Sequence, residues 1–143
     1  MTHVLVAQVR NIRDAMESNM QITIRKASIK DFKIIKKLAK EIDEEISIYY
    51  FKRLLRNICL VAEENKIVGV IYGEYNKKEK WTYLSGIVVL KKFRHKGIGK
   101  KLIKEFEKKK VGTIEVFAKE DTLARILPKF GYKSGHRYIN FTK

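Results

Sequence analysis

The sequence predicts a mixed α/β domain in which a mostly antiparallel sheet is flanked by helices, in the order β-α-α-β-β-β-α-β-α-β. Six apolar or alternating runs have the length of strands. Apolar residues recur at helical spacing between the first and second strands and again after the fourth. Short polar turns join the second, third and fourth strands, as in hairpins. With 143 residues and 45% hydrophobic content, the chain suffices for one domain with a core.

The first strand and two helices are predicted before residue 58. The segment "QITIRKA" alternates, with Ile22 and Ile24 on one face, which is typical of a strand. Ser28 and Asp31 have the spacing of a capping box and predict a helix start. Apolar residues then follow at helical spacing, and the pattern resumes in "DEEISIYYFKRLLRN". Two successive helices therefore precede the second strand.

The remaining elements follow from apolar runs separated by turns. The runs "ICLVAEE", "IVGVIYGEY" and "WTYLSGIVVL" predict the second, third and fourth strands, joined by the turn "NK" and the loop "NKKEK". An apolar stripe then predicts a helix whose members are Ile98, Leu102, Ile103 and Phe106. The segment "GTIEVFA" predicts a fifth strand, "EDTLARIL" a short helix that Pro128 ends, and "HRYINF" the last strand.

The first 19 residues differ from the rest of the chain. Basic and acidic side chains cancel there, so the whole net charge of +16 falls in the remainder. Met20 precedes "QITIRKAS", which is typical of a domain start. We therefore expect an N-terminal extension at 1–19 and a single domain at 20–143.

The composition limits the setting of the protein. A net charge of +16 favours polyanionic partners such as nucleic acid, anionic membrane or phosphate-bearing small molecules, but a lysine-rich solvated surface explains it equally. Cys59 is the single cysteine, lies in an apolar run, and is expected to be a small buried hydrophobe. No apolar run approaches the roughly 20 residues of a membrane span, and "MTHVLVAQVR" lacks a secretory pattern. We expect a cytoplasmic protein with no membrane partner.

The stretch "VVLKKFRHKGIGKKLI" at 88–103 carries the strongest chemical signal. Gly97 and Gly99 stand where the fourth strand leads into a helix, and glycine allows close backbone approach there. The first N–H groups of a helix have no intrahelical partner and lie at the positive end of its dipole, which suits a phosphate. The surrounding basic residues are Lys91, Lys92, Arg94, His95, Lys96, Lys100 and Lys101. This pattern predicts a ligand with several phosphates.

Two common phosphate loops do not match this stretch. A P-loop needs a serine or threonine after Gly99-Lys100, where this chain has Lys101. A dinucleotide fingerprint needs a third glycine where this chain has Leu102.

The residues instead resemble the GNAT superfamily of acyl-CoA N-acyltransferases. Residues 94–99, "RHKGIG", match that family's Arg/Gln-x-x-Gly-x-Gly/Ala loop between a strand and an amphipathic helix. The segment "ILPKFGYK" is similar to the family's closing aromatic-glycine-aromatic motif. One departure is Lys91, which stands where the family usually has proline. The resemblance covers about residues 21–143 and implies the GNAT fold.

The resemblance implies acetyl-CoA or another acyl-CoA as cofactor. It places the cofactor pyrophosphate on the loop and helix start, at Arg94, His95, Lys96, Gly97, Ile98, Gly99, Lys100 and Lys101. It places the pantetheine arm along Ile87, Val88 and Val89, with the Val89 N–H donating to the thioester carbonyl. A bulge that separates the fourth strand from the fifth is also implied, and Gly86 would tolerate it.

The general acid of the family is missing. The resemblance places its tyrosine at the position of Leu127 and a common asparagine at the position of Glu120. A thiolate with a pKa near 8–9 can leave without an acid. Tyr132 and Tyr138 are alternative donors, although an aromatic residue at 132 is expected for packing.

Direct acyl transfer requires a base for the amine but no metal and no covalent nucleophile. We rank Glu120 and Glu74 first as bases, because a carboxylate also binds a cationic amine. Tyr83 and Ser85 lie on the fourth strand, and a water relay is a further alternative.

The leading functional hypothesis is acetyl transfer from acetyl-CoA to a primary amine. The acceptor is a small amine, a protein N-terminus or lysine, or an aminoacyl-tRNA, and the acidic cluster of Asp43, Glu44 and Glu45 is able to attract it. The alternatives are a non-catalytic acyl-CoA sensor and a basic protein that binds nucleic acid. An edge strand is able to pair between subunits, so a homodimer is a further expectation.

Overall fold

The computed structural model describes residues 21–117, 127–134 and 140–142. Its strands are β1 (Thr23–Lys26), β2 (Ile58–Glu64), β3 (Lys66–Asn76), β4 (Trp81–Val89), β5 (Thr113–Phe117), β6 (Lys133–Ser134) and β7 (Asn140–Thr142). Its α-helices are α1 (Phe32–Ala39), α2 (Ile48–Leu55) and α3 (Ile98–Lys108).

The strands form a single sheet in the order β1-β2-β3-β4-β5-β7-β6. β4 and β5 run parallel, with α3 as the connection between them, and the other neighbouring pairs are antiparallel. The expectation of a mixed, mostly antiparallel sheet flanked by helices is confirmed.

Local side-chain contacts fix the starts of the first two helices. The Ser28 N–H donates to the Asp31 carboxylate at 2.8 Å, as half of a capping box does. The Ser47 hydroxyl accepts from the Tyr50 N–H at 3.1 Å and caps α2. Asp31 also binds Arg25 at 2.9 Å, which ties the segment before α1 to β1.

Two hydrophobic cores lie on opposite faces of the sheet. On the α1/α2 face, Ile35, Phe51 and Leu54 pack against residues of β2 and β3. On the α3 face, Leu102 and Phe106 pack against other strand residues. The sheet therefore separates an α1/α2 face from an α3 face, and each face has its own hydrophobic core.

A bulge interrupts β4. Tyr72 of β3 lies opposite Gly86, and the next residue, Gly73, lies opposite Leu84, so Ser85 is an extra residue in β4. The parallel pairing of β4 with β5 runs from Trp81 to Leu84 and stops there. Among the described residues, β4 continues to Val89 alongside β3 only, so β4 and β5 part at the bulge.

Several predicted boundaries differ from the structure. A 3₁₀ turn, Leu127–Phe130, contains Pro128 and was not predicted. The two-residue β6 was not predicted. The extension at 1–19, the helix before Leu127 and most of the last predicted strand lie outside the described residues.

None of the helices in the described part of the chain combines the length and apolar character needed to cross a bilayer.

Candidate active site

The loop between β4 and α3 has an unusual backbone. His95 has φ of 65° and Gly97 has φ of 82°, so two left-handed residues alternate with extended or helical ones. Such an alternation turns successive N–H groups toward one point, an arrangement that suits an anion. Nothing lies within 4 Å of a Cβ built on Gly97, so its positive φ, rather than crowding, requires glycine there.

The N-terminus of α3 opens onto this loop. The first helical backbone bond runs from the Lys101 N–H to the Gly97 carbonyl at 3.1 Å. Gly97 supplies no side-chain cap, so the N–H groups of Ile98, Gly99 and Lys100 remain available within the described structure. Together with the helix dipole they form a site for a phosphate or pyrophosphate.

Gly99 keeps the start of α3 close to β4. A Cβ at this position would lie 3.9 Å from a methyl carbon of Val89 and 4.0 Å from one of Ile87. An alanine therefore fits, whereas a large side chain would cover Ile87 and Val89 on β4.

The edge of β4 beyond Leu84 is open. The Leu90 N–H donates to the Val68 carbonyl of β3 at 2.9 Å. Because backbone groups alternate in direction along a strand, those of Ile87 and Val89 point to the other edge, which no described strand pairs with. Val88 points toward β3, and its side chain is buried in the core of the α1/α2 face, which indicates packing rather than cofactor contact.

Arg94 links the loop to both β4 and the turn after α1. Its Nε donates to the Val89 carbonyl at 2.9 Å. Its Nη2 lies 3.6 Å from a carboxylate oxygen of Glu41. The loop is thereby held against the open edge of β4.

A row of polar side chains crosses the α1/α2 face just before the bulge. Glu74 of β3 lies opposite Tyr83 of β4, and Tyr83 lies opposite Glu115 of β5. The neighbours of Glu115 on β5, Ile114 and Val116, are buried on the α3 face, so the alternation of the strand directs Glu115 to the α1/α2 face. Two carboxylates therefore flank one tyrosine where β4 and β5 part.

Glu44, in the segment between α1 and α2, completes this group. Its negative charge contributes to the raised pKa values of Tyr50, Tyr72 and Tyr83, although burial is the largest cause in each case. The Ser85 side chain, at the bulge, acts in the opposite direction and lowers the pKa of Tyr50. Glu44, the three tyrosines and Ser85 thus line one region of the α1/α2 face.

Tyr72 brings a polar atom into the base of this region. The residue is 1% exposed, and its hydroxyl has no hydrogen-bond partner among the described residues. Its ring lies against Gly86, in the space that a side chain at 86 would need. The structure therefore places a buried O–H group directly beneath the bulge.

Among the residues predicted as acid or base, Glu74 lies in this row and Tyr132 does not. Glu74 is in the row, but it is ion-paired with Arg53 at 2.9 Å. Tyr132 is 3% exposed and Leu127 is 1% exposed, and both lie in the core of the α3 face, which indicates packing. Glu120, like Tyr138, lies outside the described residues.

Three residues of the site were missed by the sequence analysis: Glu115, Tyr50 and Tyr72. Glu115 alternates with two apolar residues in "TIEVF", so a polar position on one face was visible. Tyr50 lies in the segment "DEEISIYYFKRLLRN", whose helical spacing indicates packing and gives no sign of a role in a site. The position of Tyr72 beneath Gly86 depends on the register shift at Ser85, which no local pattern shows.

The sequence matches the model of the Acetyltransferase (GNAT) family over residues 24–132. The match spans well over half of the chain, and the chain belongs to the GNAT family. Family membership defines it as an acyl-CoA-dependent N-acetyltransferase with acetyl-CoA as the acetyl donor. No curated protein sequence matches it.

Solved structures agree in fold. Ard1 from Thermoplasma volcanium is 20% identical, with a TM-score of 0.71, over 85% of this chain and 94% of that one. The PaiA N-acetyltransferase from Thermoplasma acidophilum, in complex with coenzyme A, is 18% identical with a TM-score of 0.71, over 86% and 97% of the two chains. Naa50 from Arabidopsis thaliana, in complex with the bisubstrate analogue CoA-Ac-MVNAL, has the same identity and TM-score over 85% and 97%.

Proposed function

We propose that this protein transfers the acetyl group of acetyl-CoA directly to a primary amine bound on the α1/α2 face. The observation that carries the proposal is the parting of β4 and β5 after Leu84. It leaves a backbone edge that runs from the phosphate-binding loop to the row of Glu74, Tyr83 and Glu115. A donor on that edge would meet an acceptor at the row.

Acetyl-CoA, the acetyl donor, is proposed to bind along the loop, the start of α3 and the open edge of β4. The backbone of the loop and the start of α3 bind the pyrophosphate, and the side chains of the basic loop residues add positive charge. The residues are Arg94, His95, Lys96, Gly97, Ile98, Gly99, Lys100 and Lys101. The backbone groups of Ile87 and Val89 hold the pantetheine arm as a strand would. Val89 lies beside the loop, about 20 Å along β4 from Tyr83. The Ile87 N–H is nearer the row and is proposed to donate to the thioester oxygen, in place of the Val89 N–H that the resemblance implies. The left-handed backbone and open helix start support this placement.

The acceptor side is proposed to hold an ammonium group between Glu44, Glu115 and Tyr83. A carboxylate attracts the cation and accepts its proton, which leaves the uncharged amine needed for attack. Glu74 would have to give up its bond to Arg53 to do the same, so we assign it to positioning Arg53 and Tyr50. Bound acetyl-CoA supplies a thioester, and attack by the amine forms the amide while the C–S bond breaks.

The leaving thiolate needs little assistance. Its proton can come from water. The Tyr72 hydroxyl can donate a hydrogen bond to the thiolate, but burial raises the pKa of Tyr72 further above that of the thiol, so it does not give up its proton. The Tyr72 hydroxyl lies beneath the bulge and has no other described partner. Tyr72 is therefore proposed to stabilise the thiolate by a hydrogen bond rather than to replace the missing tyrosine at Leu127 as an acid.

The identity of the acceptor is proposed only as a class: a protein N-terminus or lysine, a small amine, or an aminoacyl-tRNA. Naa50 was solved with an analogue that joins CoA to a peptide, which supports the peptide class. We further propose that residues 20–143 form one domain and that the protein is cytoplasmic and homodimeric.

The decisive experiment is calorimetric titration of acetyl-CoA and CoA into the wild type and Gly99→Trp, followed by thiol release with a panel of amines and peptides. We expect micromolar binding that the tryptophan abolishes, and thiol release with at least one amine. Binding without release by any amine would favour the acyl-CoA sensor. No binding to folded protein would refute the proposed site.

A further inference from the structure

The solvent side of α1 and the turn before it carry only one kind of charge. Residues 29–40 read "IKDFKIIKKLAK" and include five lysines, all of which are exposed. The set is Lys30, Lys33, Lys36, Lys37 and Lys40, which we call the α1 lysine face. The spacing i, i+3, i+6, i+7 and i+10 puts them on one side of the helix.

No described acidic side chain neutralises the α1 lysine face. Asp31, the only acid in this stretch, is 7% exposed and bound to Arg25 at 2.9 Å. Lys36 lies over the Phe32 ring at 5.8 Å, and no ion pair within the described residues includes any of the five lysines. Five positive charges therefore face solvent along about 15 Å of helix.

The cofactor does not account for most of these charges: of the five, only Lys40 lies next to Glu41, the carboxylate near Arg94 of the loop. The proposed pyrophosphate site is at the N-terminus of α3, whose side chains pack on the α3 face of the sheet. The α1 helix packs on the opposite face, beside the proposed amine site. A lysine array there suits a second, larger anion.

We propose that the α1 lysine face binds the phosphate backbone of double-stranded RNA. A duplex carries closely spaced phosphates on both strands, which matches a line of lysines. A lysine acts on a phosphate as a flexible point charge, and duplex RNA is recognised mainly by its shape and by contacts to its backbone. An anionic membrane is a poorer fit, because Ile35, Leu38 and Ala39 are buried in the core, and the two exposed residues Ile29 and Ile34 offer too little apolar surface to enter a bilayer.

The RNA surface and the proposed amine site share one face of the sheet. An amine carried by RNA, or by a protein bound to RNA, would therefore be held near Tyr83 and Glu115. This consequence rests on the proposed function, but binding of RNA to the α1 lysine face does not.

The test compares two triple variants that remove equal charge. Lys33→Gln/Lys36→Gln/Lys37→Gln alters the α1 lysine face. Lys104→Gln/Lys109→Gln/Lys110→Gln alters exposed lysines of α3 and its C-terminal end, away from the cofactor loop. Binding of a labelled RNA duplex is measured by fluorescence anisotropy over a range of salt concentrations.

We expect the wild type to bind and the α1 variant to lose about tenfold or more in affinity, with a salt slope smaller by about two, since each phosphate contact contributes nearly one unit of slope. The α3 variant should lose less than about threefold. Both variants should keep the wild-type affinity for acetyl-CoA and the wild-type melting temperature, which separates this proposal from the proposed function.

Other outcomes would overturn the inference. Equal losses in the two variants would show general electrostatic attraction by the whole surface. A DNA duplex of the same sequence, or anionic phosphatidylserine vesicles, bound more tightly than RNA would reject the choice of partner. Absence of RNA binding by the folded wild type at low salt would reject the surface altogether.

Discussion

The ring of Tyr72 occupies the space that a side chain on Gly86 would need, directly across the β3–β4 pairing. We predict that Gly86→Ala overpacks this contact and lowers the free energy of unfolding by about 1–3 kcal/mol. Urea unfolding followed by circular dichroism measures the loss. The same change should lower the transfer rate, because it disturbs the bulge at which β4 leaves β5.

Tyr72→Leu provides the control for this contact. In the double variant with Gly86→Ala, the smaller side chain should recover part of the lost stability, giving a favourable coupling energy. Strict additivity of the two changes would contradict the contact.

The two glycines of the phosphate loop should respond differently to alanine. Gly97 has φ of 82°, so Gly97→Ala introduces backbone strain of about 1–2 kcal/mol and should weaken acetyl-CoA binding. Gly99→Ala makes only ordinary contacts at 3.9 and 4.0 Å and should retain binding within about threefold. Calorimetry on both variants provides the comparison, and an equal effect at the two positions would contradict the assigned geometry.

Much of the architecture follows from local sequence patterns. The alternation in "QITIRKA", the spacing of Ser28 and Asp31, and the apolar stripe from Ile98 to Phe106 each encode an element that the structure contains. The phosphate loop could also be predicted from the sequence, because its anion binding depends on two glycines and on the start of the following helix.

The residues of the proposed amine site could not be predicted from the sequence in the same way. The grouping of Glu44, Tyr83 and Glu115 joins residues from three separate elements, and it depends on strand register. The bulge at Ser85 shifts that register by one residue, which changes which side chains share a face. A sequence pattern without pairing information therefore favoured Glu74, whose ion pair with Arg53 appears only in three dimensions.

Removal of the carboxylates of Glu44 or Glu115 should reduce catalysis without weakening the binding of acetyl-CoA. We predict that Glu44→Gln and Glu115→Gln each lower kcat/KM by about tenfold or more, because a positioned base contributes on the order of 10²–10⁴ to a rate. Steady-state thiol release with a responsive amine measures the effect, and acetyl-CoA affinity should be unchanged. Glu45→Gln, at the exposed neighbour of Glu44, is the matched control and should retain nearly full activity. Full activity of both glutamine variants at 44 and 115 would reject the assignment.

Asp31 should make stability depend on pH in the acid range. Its hydrogen bond with Arg25 lowers the pKa of the carboxyl below the ordinary value of 3.8. A lowered folded-state pKa stabilises the protein above the unfolded-state pKa, and this contribution is lost as pH falls through the folded value.

We therefore predict that Asp31→Asn costs about 1–3 kcal/mol at neutral pH and that its difference from the wild type shrinks below about pH 4. Urea unfolding at a series of pH values measures both quantities. Asp43→Asn, at an exposed position, should change the free energy of unfolding by less than about 0.5 kcal/mol. A difference that is constant from neutral to strongly acid pH would contradict the ion pair.

The thiol of Cys59 should be unreactive in the folded protein. It is 1% exposed, and burial, aided by the charge of Asp31, raises the pKa of its thiol to about 12. Because the thiolate is the reactive form, we predict that modification by a disulfide reagent at about pH 8 is on the order of a thousandfold slower in the native state than in urea. Cys59→Ala should keep its transfer activity, since acyl transfer here needs no covalent nucleophile. Rapid modification of one thiol in the native protein, or loss of activity in a stably folded Cys59→Ala, would instead indicate a covalent route through this residue.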